Sequence, residues 1–359
     1  MTIEQRPQSQ TGIGDRETAV PGLPPTEDTP LAPVLPQTLS RVPWGAVAIF
    51  VVIAFGLAWV AVLPLWRMDT NAPEFPGMIG LFAAIMMFTP AVATLAALFL
   101  AKTPKTARLQ FLGMWPLRPA KRVVWSIIAA IFAPLVIVIV SIGVAVLFGW
   151  ARLDLVTFSG FQEMLDAQLA ALGGETADIA RASMPPIGVL VALQFAMVPI
   201  GAVVNSVLAF GEEIGWRGWL LPALRPLGTW PALLITGAIW GLWHSPIILL
   251  GYNFGLTDWR GVALMTIGCI AWGTLLGWAR LRTGSVWPAV FGHGALNASA
   301  AMIAVLAAAG APLDPALAMP LGACGWIAVA VVVVLLVVTG HFAPARQLPL
   351  AATVRRRGA

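Results

Sequence analysis

Long apolar segments follow one another along most of the chain and are separated by short polar stretches. A helix that crosses the hydrocarbon core of a bilayer needs about 20 predominantly apolar residues. Eight segments come near that length, at 43–66, 78–101, 123–150, 187–210, 230–250, 261–279, 286–309 and 319–339. The pattern therefore predicts an all-α fold, a polytopic membrane helix bundle with about eight transmembrane helices.

The composition indicates that lipid surrounds most of these segments. Apolar residues make up 59% of the chain, charged residues only 10%, and the mean hydropathy is +0.86, values far from those of soluble globular proteins. The net charge of +5 has the sign that nucleic acids attract, but the Lys and Arg residues lie in short segments between the apolar runs and form no single basic face. We expect a multi-pass protein of the inner (plasma) membrane, in contact with membrane lipids and without a nucleic-acid partner.

The basic residues also predict an orientation. If the amino terminus is cytoplasmic, then the loop at 102–122, the turn at 280–282 and the tail at 355–357 are cytoplasmic as well. Only four of the 21 Lys and Arg residues then face outward, at positions 67, 152, 181 and 260. Because cytoplasmic segments of membrane proteins carry an excess of Lys and Arg, we expect both termini in the cytoplasm.

Three regions follow from these patterns. Residues 1–42 are polar and rich in Pro, as is typical of a disordered cytoplasmic tail. Residues 43–341 hold the predicted spans, and residues 342–359 form a basic cytoplasmic tail. Cys269 and Cys324 each lie within an apolar run without a second Cys at a useful spacing, so neither a disulfide framework nor a zinc knuckle is predicted.

Very few ionisable side chains lie inside the predicted spans, where they are costly and are by default functional candidates. With one nearby amide, they are Glu212, Glu213, Arg217, His244, His293 and Asn297. At 1.5 Å per helical residue, Glu212, His244 and His293 lie about 20, 21 and 16 Å from the cytoplasmic face. The similar depths predict one shared site.

The spacing of these residues suggests different roles for the two glutamates. Glu213 and Arg217 are four residues apart and can form an ion pair on one helical face. Glu212 lies about 100° around the helix from Glu213, so it cannot readily share that partner and is left as the free carboxylate. His293 and Asn297 are also four residues apart and can direct hydrogen-bond donors at one point.

The order and spacing of these residues resemble the CPBP intramembrane proteases, a family that includes the CAAX prenyl endopeptidases of the Rce type and bacterial Abi or bacteriocin-immunity homologues. The family motifs are Glu-Glu-x-x-x-Arg, Phe-x-x-x-His and His-x-x-x-Asn. This chain shows them as Glu212-Glu213-x-x-x-Arg217, Trp240-x-x-x-His244 and His293-x-x-x-Asn297. The resemblance covers 211–297, places a catalytic core at about 187–309, and departs from the family pattern where Trp240 replaces Phe.

The resemblance implies an endopeptidase that hydrolyses a peptide bond of a membrane-embedded or lipid-anchored protein or peptide. It implies that Glu212 and His244 activate a water molecule and that His293 and Asn297 stabilise the oxyanion. These roles agree with elementary chemistry, since a carboxylate and an imidazole can share a proton and each oxyanion donor is worth about 3 kcal/mol. We expect the site to open toward the cytoplasm.

Several alternatives stay open at this stage. Glu212, His244 and His293 are residue types that can also bind zinc. The His-Glu-x-x-His helix of zinc proteases is absent from the sequence, so no cofactor is favoured and zinc is the second option. A non-catalytic immunity or scaffold protein would use the same bundle to bind a partner. A proton-coupled transporter would use Glu212 and His244 as a relay.

Overall fold

The computed structural model describes residues 40–101, 105–348 and 350. The predicted tails therefore lie mostly outside the described residues, which include only 40–42 of the first and 342–348 with 350 of the second. The predicted all-α fold is confirmed over the described part of the chain, where the only β-type pairing is an isolated bridge between Leu153 and Ala307.

The helices vary in length from single turns to 28 residues. In chain order they are α1 Trp44–Val62, α2 Phe75–Met86, α3 Thr89–Leu100, α4 Arg108–Phe111, α5 Ala120–Leu147, α6 Ser159–Leu172, α7 Gly174–Ala182, α8 Ile187–Glu213, α9 Leu221–Leu224, α10 Thr229–Trp243, α11 Ser245–Ile248, α12 Trp259–Thr283, α13 Trp287–Ser299, α14 Met302–Leu306, α15 Pro315–Ala318 and α16 Ala323–Val338. A π-helix, Ile214–Leu220, joins α8 to α9.

Seven helical segments in the described residues are long and apolar enough to cross a membrane, so the chain is a multi-pass membrane protein. They are Trp44–Val62, Phe75–Leu100, Ala120–Leu147, Ile187–Leu227, Trp259–Thr283, Trp287–Leu306 and Pro315–Val338.

The fifth predicted span, 230–250, is not among them. It forms α10, which has 15 residues and a length of about 22 Å, followed by the short α11. The cause is local, because Pro246 lies in the first turn of α11, and proline disfavours the helical conformation of the residue before it and breaks the hydrogen-bond ladder. His244 consequently lies at a helix end, between α10 and α11.

Close packing between helix backbones positions the site. α13 packs against α8 and α5, and α10 packs along α12. A side chain at Gly237 would come within 2.7 Å of the Ile270 Cα atom, and one at Gly241 would collide with Thr266. Small residues that allow such contact are typical of helix pairs in membranes.

The two ends of the bundle differ in their connections. One end, which we call the basic end, contains Gly113, Leu281, Val286 and Leu348. There the Val286 amide donates to the Gly113 carbonyl, and the Leu348 amide donates to the Leu281 carbonyl. The other end, which we call the opposite end, holds the connections 63–74, 148–186, 249–258 and 307–322. There the Ala308 amide donates to the Arg152 carbonyl.

The polypeptide is densely packed between the last turn of α8 and the basic end. Every residue from 211 to 224 is buried. Arg280 is fully buried beside this segment and donates to the backbone carbonyls of Arg217 at 3.0 Å, of Phe111 at 2.9 Å and of Gly284. One guanidinium thus satisfies carbonyl groups from three separate segments, which fixes the depth at which Glu212 and Glu213 lie.

Candidate active site

Glu212 is held by two indole groups and by no cation. Its Oε2 atom accepts a hydrogen bond from Trp240 Nε1 at 2.5 Å and another from Trp216 Nε1 at 3.3 Å. The side chain is only 2% exposed. Because an indole N–H is a neutral donor, these contacts orient the carboxylate without neutralising its charge.

Glu213 has entirely different partners. Its Oε1 atom accepts from Arg217 Nη1 at 2.6 Å, the contact that the spacing predicted, and from His293 Nδ1 at 2.9 Å. Arg217 also lies over the Trp240 ring, with its guanidinium carbon 4.4 Å from the ring centroid, a geometry that allows cation–π attraction. Glu213, Arg217 and His293 therefore form one buried cluster that joins α8, the π-helix and α13.

The hydrogen bond of His244 defines which ring nitrogen is available. Its Nδ1 atom lies 2.9 Å from the Trp240 carbonyl oxygen. A carbonyl oxygen can only accept, so Nδ1 carries the hydrogen and, in the neutral ring, Nε2 presents its lone pair. His244 is thereby oriented to accept a proton through Nε2.

His293 and Asn297 project from successive turns of α13. The Nδ1–H of His293 donates to Glu213, so only Nε2 can act toward another group. His293 is 4% exposed, whereas Asn297 is the one exposed residue of α13. Sequence reasoning paired these two residues with each other and missed the link from His293 to Glu213, because contacts between helices leave no spacing signal.

The four residues assigned catalytic roles by the resemblance line one cavity of about 310 Å³. Glu212, His244, His293 and Asn297 all contribute to its wall, whereas Glu213 and Arg217 do not. The structure thus separates the two glutamates, one at the cavity and one behind it.

The cavity wall also contains residues that sequence reasoning did not select. They include Asn205, Tyr252, Asn253, Met265 and Cys269. Asn205 interrupts an apolar run, a signal that could have been used. Cys269, for which the sequence predicted neither a disulfide framework nor a zinc knuckle, has its Sγ atom 4.0 Å from His244 Nδ1.

The cavity extends from Glu212 toward the opposite end of the bundle. Tyr252 and Asn253 lie in the connection after α11, Leu321 lies just before α16, and Ala300 follows α13. No residue of the segment 213–224 lines it. The cavity therefore lies on the side of Glu212 that faces away from the basic end.

Within the described ranges, no group of three or more His, Cys, Asp or Glu side chains is placed to hold a metal ion. The ligand set considered for zinc is Glu212, His244 and His293, and each has another partner. Glu212 binds two indoles, His244 binds a backbone carbonyl and His293 binds Glu213.

Comparison with known families agrees with the motifs. Residues 192–299 match the family model for type II CAAX prenyl endopeptidase, Rce1-like. This range contains all three motifs, so the resemblance drawn from them is confirmed. No match was found among curated proteins.

Proposed function

We propose that this chain, whose residues 192–299 match the family model for type II CAAX prenyl endopeptidase, Rce1-like, is an active intramembrane endopeptidase. It hydrolyses a peptide bond of a membrane-associated protein or peptide, with water as the nucleophile. The observation that carries the proposal is that Glu212, His244, His293 and Asn297 come from three helical segments and line the same buried cavity.

The first step is the activation of water by Glu212 and His244. Both indoles bind Oε2 of Glu212, which leaves Oε1 as the oxygen that takes a proton from water. Nε2 of His244 is a second acceptor on the wall of the same cavity. The resulting hydroxide adds to the carbonyl carbon, and the abstracted proton is later delivered to the amine that leaves, so that general base and general acid are the same pair.

The second step is the stabilisation of the oxyanion by His293 and Asn297. Asn297 donates through its side-chain amide. Because Nδ1–H of His293 donates to Glu213, His293 reaches the oxyanion through Nε2–H and must carry both protons. That positive charge is compensated, since Glu213 pairs with Arg217 and His293 and Glu212 adds a second carboxylate on the cavity wall that His293 also lines.

The test is cleavage of a fluorogenic membrane-anchored peptide by purified protein in liposomes. Wild type should turn the reporter over, whereas Glu212→Gln and His244→Ala should bind it without cleaving it. Cys324→Ala is the matched control, because Cys324 is buried outside the cavity wall. Turnover should also survive a strong chelator, and loss of activity that added zinc restores would contradict the metal-free mechanism.

The same variants separate catalysis from the other two functions. If cells that carry Glu212→Gln keep the biological activity of wild type, the protein acts by binding a partner and the protease proposal is wrong. If the liposomes acidify on substrate addition without cleavage, the Glu212 and His244 pair serves proton-coupled transport.

A further inference from the structure

We propose that the protein binds one anionic phospholipid in a second, apolar cavity. An acyl chain lies between α5, α12, α13 and α16, and the headgroup phosphate contacts Arg122, Arg282 and Arg346 at the basic end. This second cavity has no residue in common with the cavity at Glu212, so lipid binding there is independent of the proposed proteolysis.

The second cavity is a groove that begins at the basic end. Its volume is about 210 Å³, and its wall comes from the N-terminal part of α5, the C-terminal half of α12, the start of α13 and the end of α16. Arg282 and Trp272 are the outermost wall residues on α12, and the ten-residue step between them spans about 15 Å. A bilayer has a hydrocarbon core about 30 Å thick, so the groove has the depth of one leaflet.

The wall of the groove suits a hydrocarbon chain. Every wall residue is apolar apart from Ser126 and Arg282. Small residues create the recess, among them Ala129, Ala133 and Gly292. Ala129 and Ala133 are exposed, so the groove is open sideways to the surrounding lipid. A volume of 210 Å³ over this length holds one slender chain but not a helix, which is about 10 Å across.

Three arginines meet at the basic end of the groove without a carboxylate partner. Arg122 Nη1 donates to the Arg282 carbonyl at 3.4 Å, and Arg282 Nη1 donates to the Arg346 carbonyl at 2.8 Å. Arg346 Nη1 donates to the Thr339 carbonyl at 3.3 Å. None of the three arginines forms an ion pair within the part of the chain that the structure describes. Because like charges repel, an anion at this point would stabilise all three.

An anionic phospholipid satisfies both parts of the site. Each of the three guanidinium groups uses Nη1 for its carbonyl bond, which leaves other N–H groups for phosphate oxygens. Trp278 lines the groove one helical turn before Arg282, and indoles favour the level between headgroups and acyl chains. Basic pockets between transmembrane helices bind anionic headgroups. A free phosphate would leave the groove unfilled, and a zwitterionic lipid would bring a second cation to the arginines.

Lipid retention tests the proposal without any need for catalysis. The full-length protein, purified in a neutral detergent, would be mixed with phosphatidylglycerol or with phosphatidylcholine of the same acyl chains. Native mass spectrometry would then count the bound lipid. Wild type should retain one molecule of phosphatidylglycerol under conditions that remove phosphatidylcholine. Arg122→Gln with Arg282→Gln should weaken this retention about tenfold, because two charges that contact the phosphate are lost.

A second variant tests the groove itself. Ala133→Phe places a ring in the space of the acyl chain, and displacing two CH₂ groups from an apolar site weakens binding about tenfold. The matched controls are Arg118→Gln, which removes an exposed charge at the basic end, and Val136→Phe, which adds the same ring at an exposed position of α5. Neither position lines the groove, so both controls should retain phosphatidylglycerol as wild type does. If Ala133→Phe fails to fold, Ala129→Phe takes its place on the same wall.

Four results would overturn the proposal. They are equal retention of the two lipids by wild type, unchanged retention in the double arginine variant, unchanged retention in the folded groove variant, and displacement of the bound lipid by inorganic phosphate but not by chloride at the same ionic strength. The first would show an apolar groove that takes any lipid. The third would show attraction of lipid to surface charge alone, and the fourth would show a simple anion site.

Discussion

Glu212 and Glu213 are neighbours in the chain, yet the structure gives them opposite surroundings. Glu212 lies at the cavity and accepts hydrogen bonds from two neutral indoles. Glu213 lies behind the cavity and contacts Arg217 and His293. The difference teaches that burial alone does not mark a catalytic carboxylate. Neutral donors leave a basic oxygen free to react, whereas cations tie the neighbouring carboxylate into the structure.

The comparison predicts its largest effect for Glu212→Gln. The amide keeps an oxygen that accepts from the indoles but cannot take a proton, so turnover should fall by several orders of magnitude, while the unfolding temperature stays near that of wild type. Reporter cleavage and thermal unfolding in detergent measure the two quantities. Since the effects of substitutions at residues that act as one unit are not additive, the double variant Glu212→Gln with His244→Ala should lose little more turnover than either single variant. Near-normal turnover in Glu212→Gln would remove the distinction between the two glutamates.

The next largest effect is expected on the stability of the folded protein when the ion pair between Glu213 and Arg217 is broken. Arg217→Met leaves Glu213 buried with one cationic partner fewer, and losing one member of a buried pair costs about 3–5 kcal/mol. Folded yield and unfolding temperature should drop, and the double change Arg217→Met with Glu213→Gln should recover part of the loss, because it leaves no unpaired carboxylate. A well-folded but inactive Arg217→Met protein would instead give Arg217 a chemical role.

A smaller effect is expected for the two donors on α13, and it also distinguishes them. His293→Ala and Asn297→Ala should each lower kcat/KM about a hundredfold, as removal of an oxyanion donor does. Only His293→Ala should also lower the unfolding temperature, because only His293 binds Glu213. Equal stability of the two variants would show that the link between His293 and Glu213 contributes nothing to folding.

The smallest effect tests the indoles. Trp240→Phe restores the family motif but removes the 2.5 Å hydrogen bond to Glu212. We expect kcat to fall about tenfold, which corresponds to about 1.4 kcal/mol. Trp216→Phe, which removes the 3.3 Å bond, should lose less. Trp219→Phe is the matched control, since Trp219 is equally buried but its Nε1 has no partner. Equal losses of kcat in all three variants would show that the indoles act through packing and not through their hydrogen bonds to Glu212.

The sequence was sufficient for the fold class and for four of the residues that line the cavity, but not for others such as Asn205 and Tyr252. The length of the apolar segments predicts the membrane spans, and the spacing of residues within one helix predicts the contact between Glu213 and Arg217. It could not report contacts between helices, such as that of His293 with Glu213, because these depend on how closely glycines such as Gly237 let the backbones approach. Nor does an apolar count register Pro246, which ends α10 early. The replacement of Phe by Trp240 was visible, but its bond to Glu212 needed the fold.

The π-helix Ile214–Leu220 has a consequence for chain length. The Leu221 amide donates to the Trp216 carbonyl, five residues back, so this stretch holds an extra residue compared with an α-helix. Deleting one residue there would restore α-helical winding and leave α9 near its present angular position relative to α8, whereas the same deletion within α8 would rotate everything after it by about 100°. A deletion between Glu213 and Arg217 would reduce the spacing of this ion pair from four residues to three. A deletion after Arg217 would keep that spacing, so the two deletions should affect stability differently. A deletion here would chiefly displace side chains of the π-helix itself, which include tryptophans that no substitution had touched.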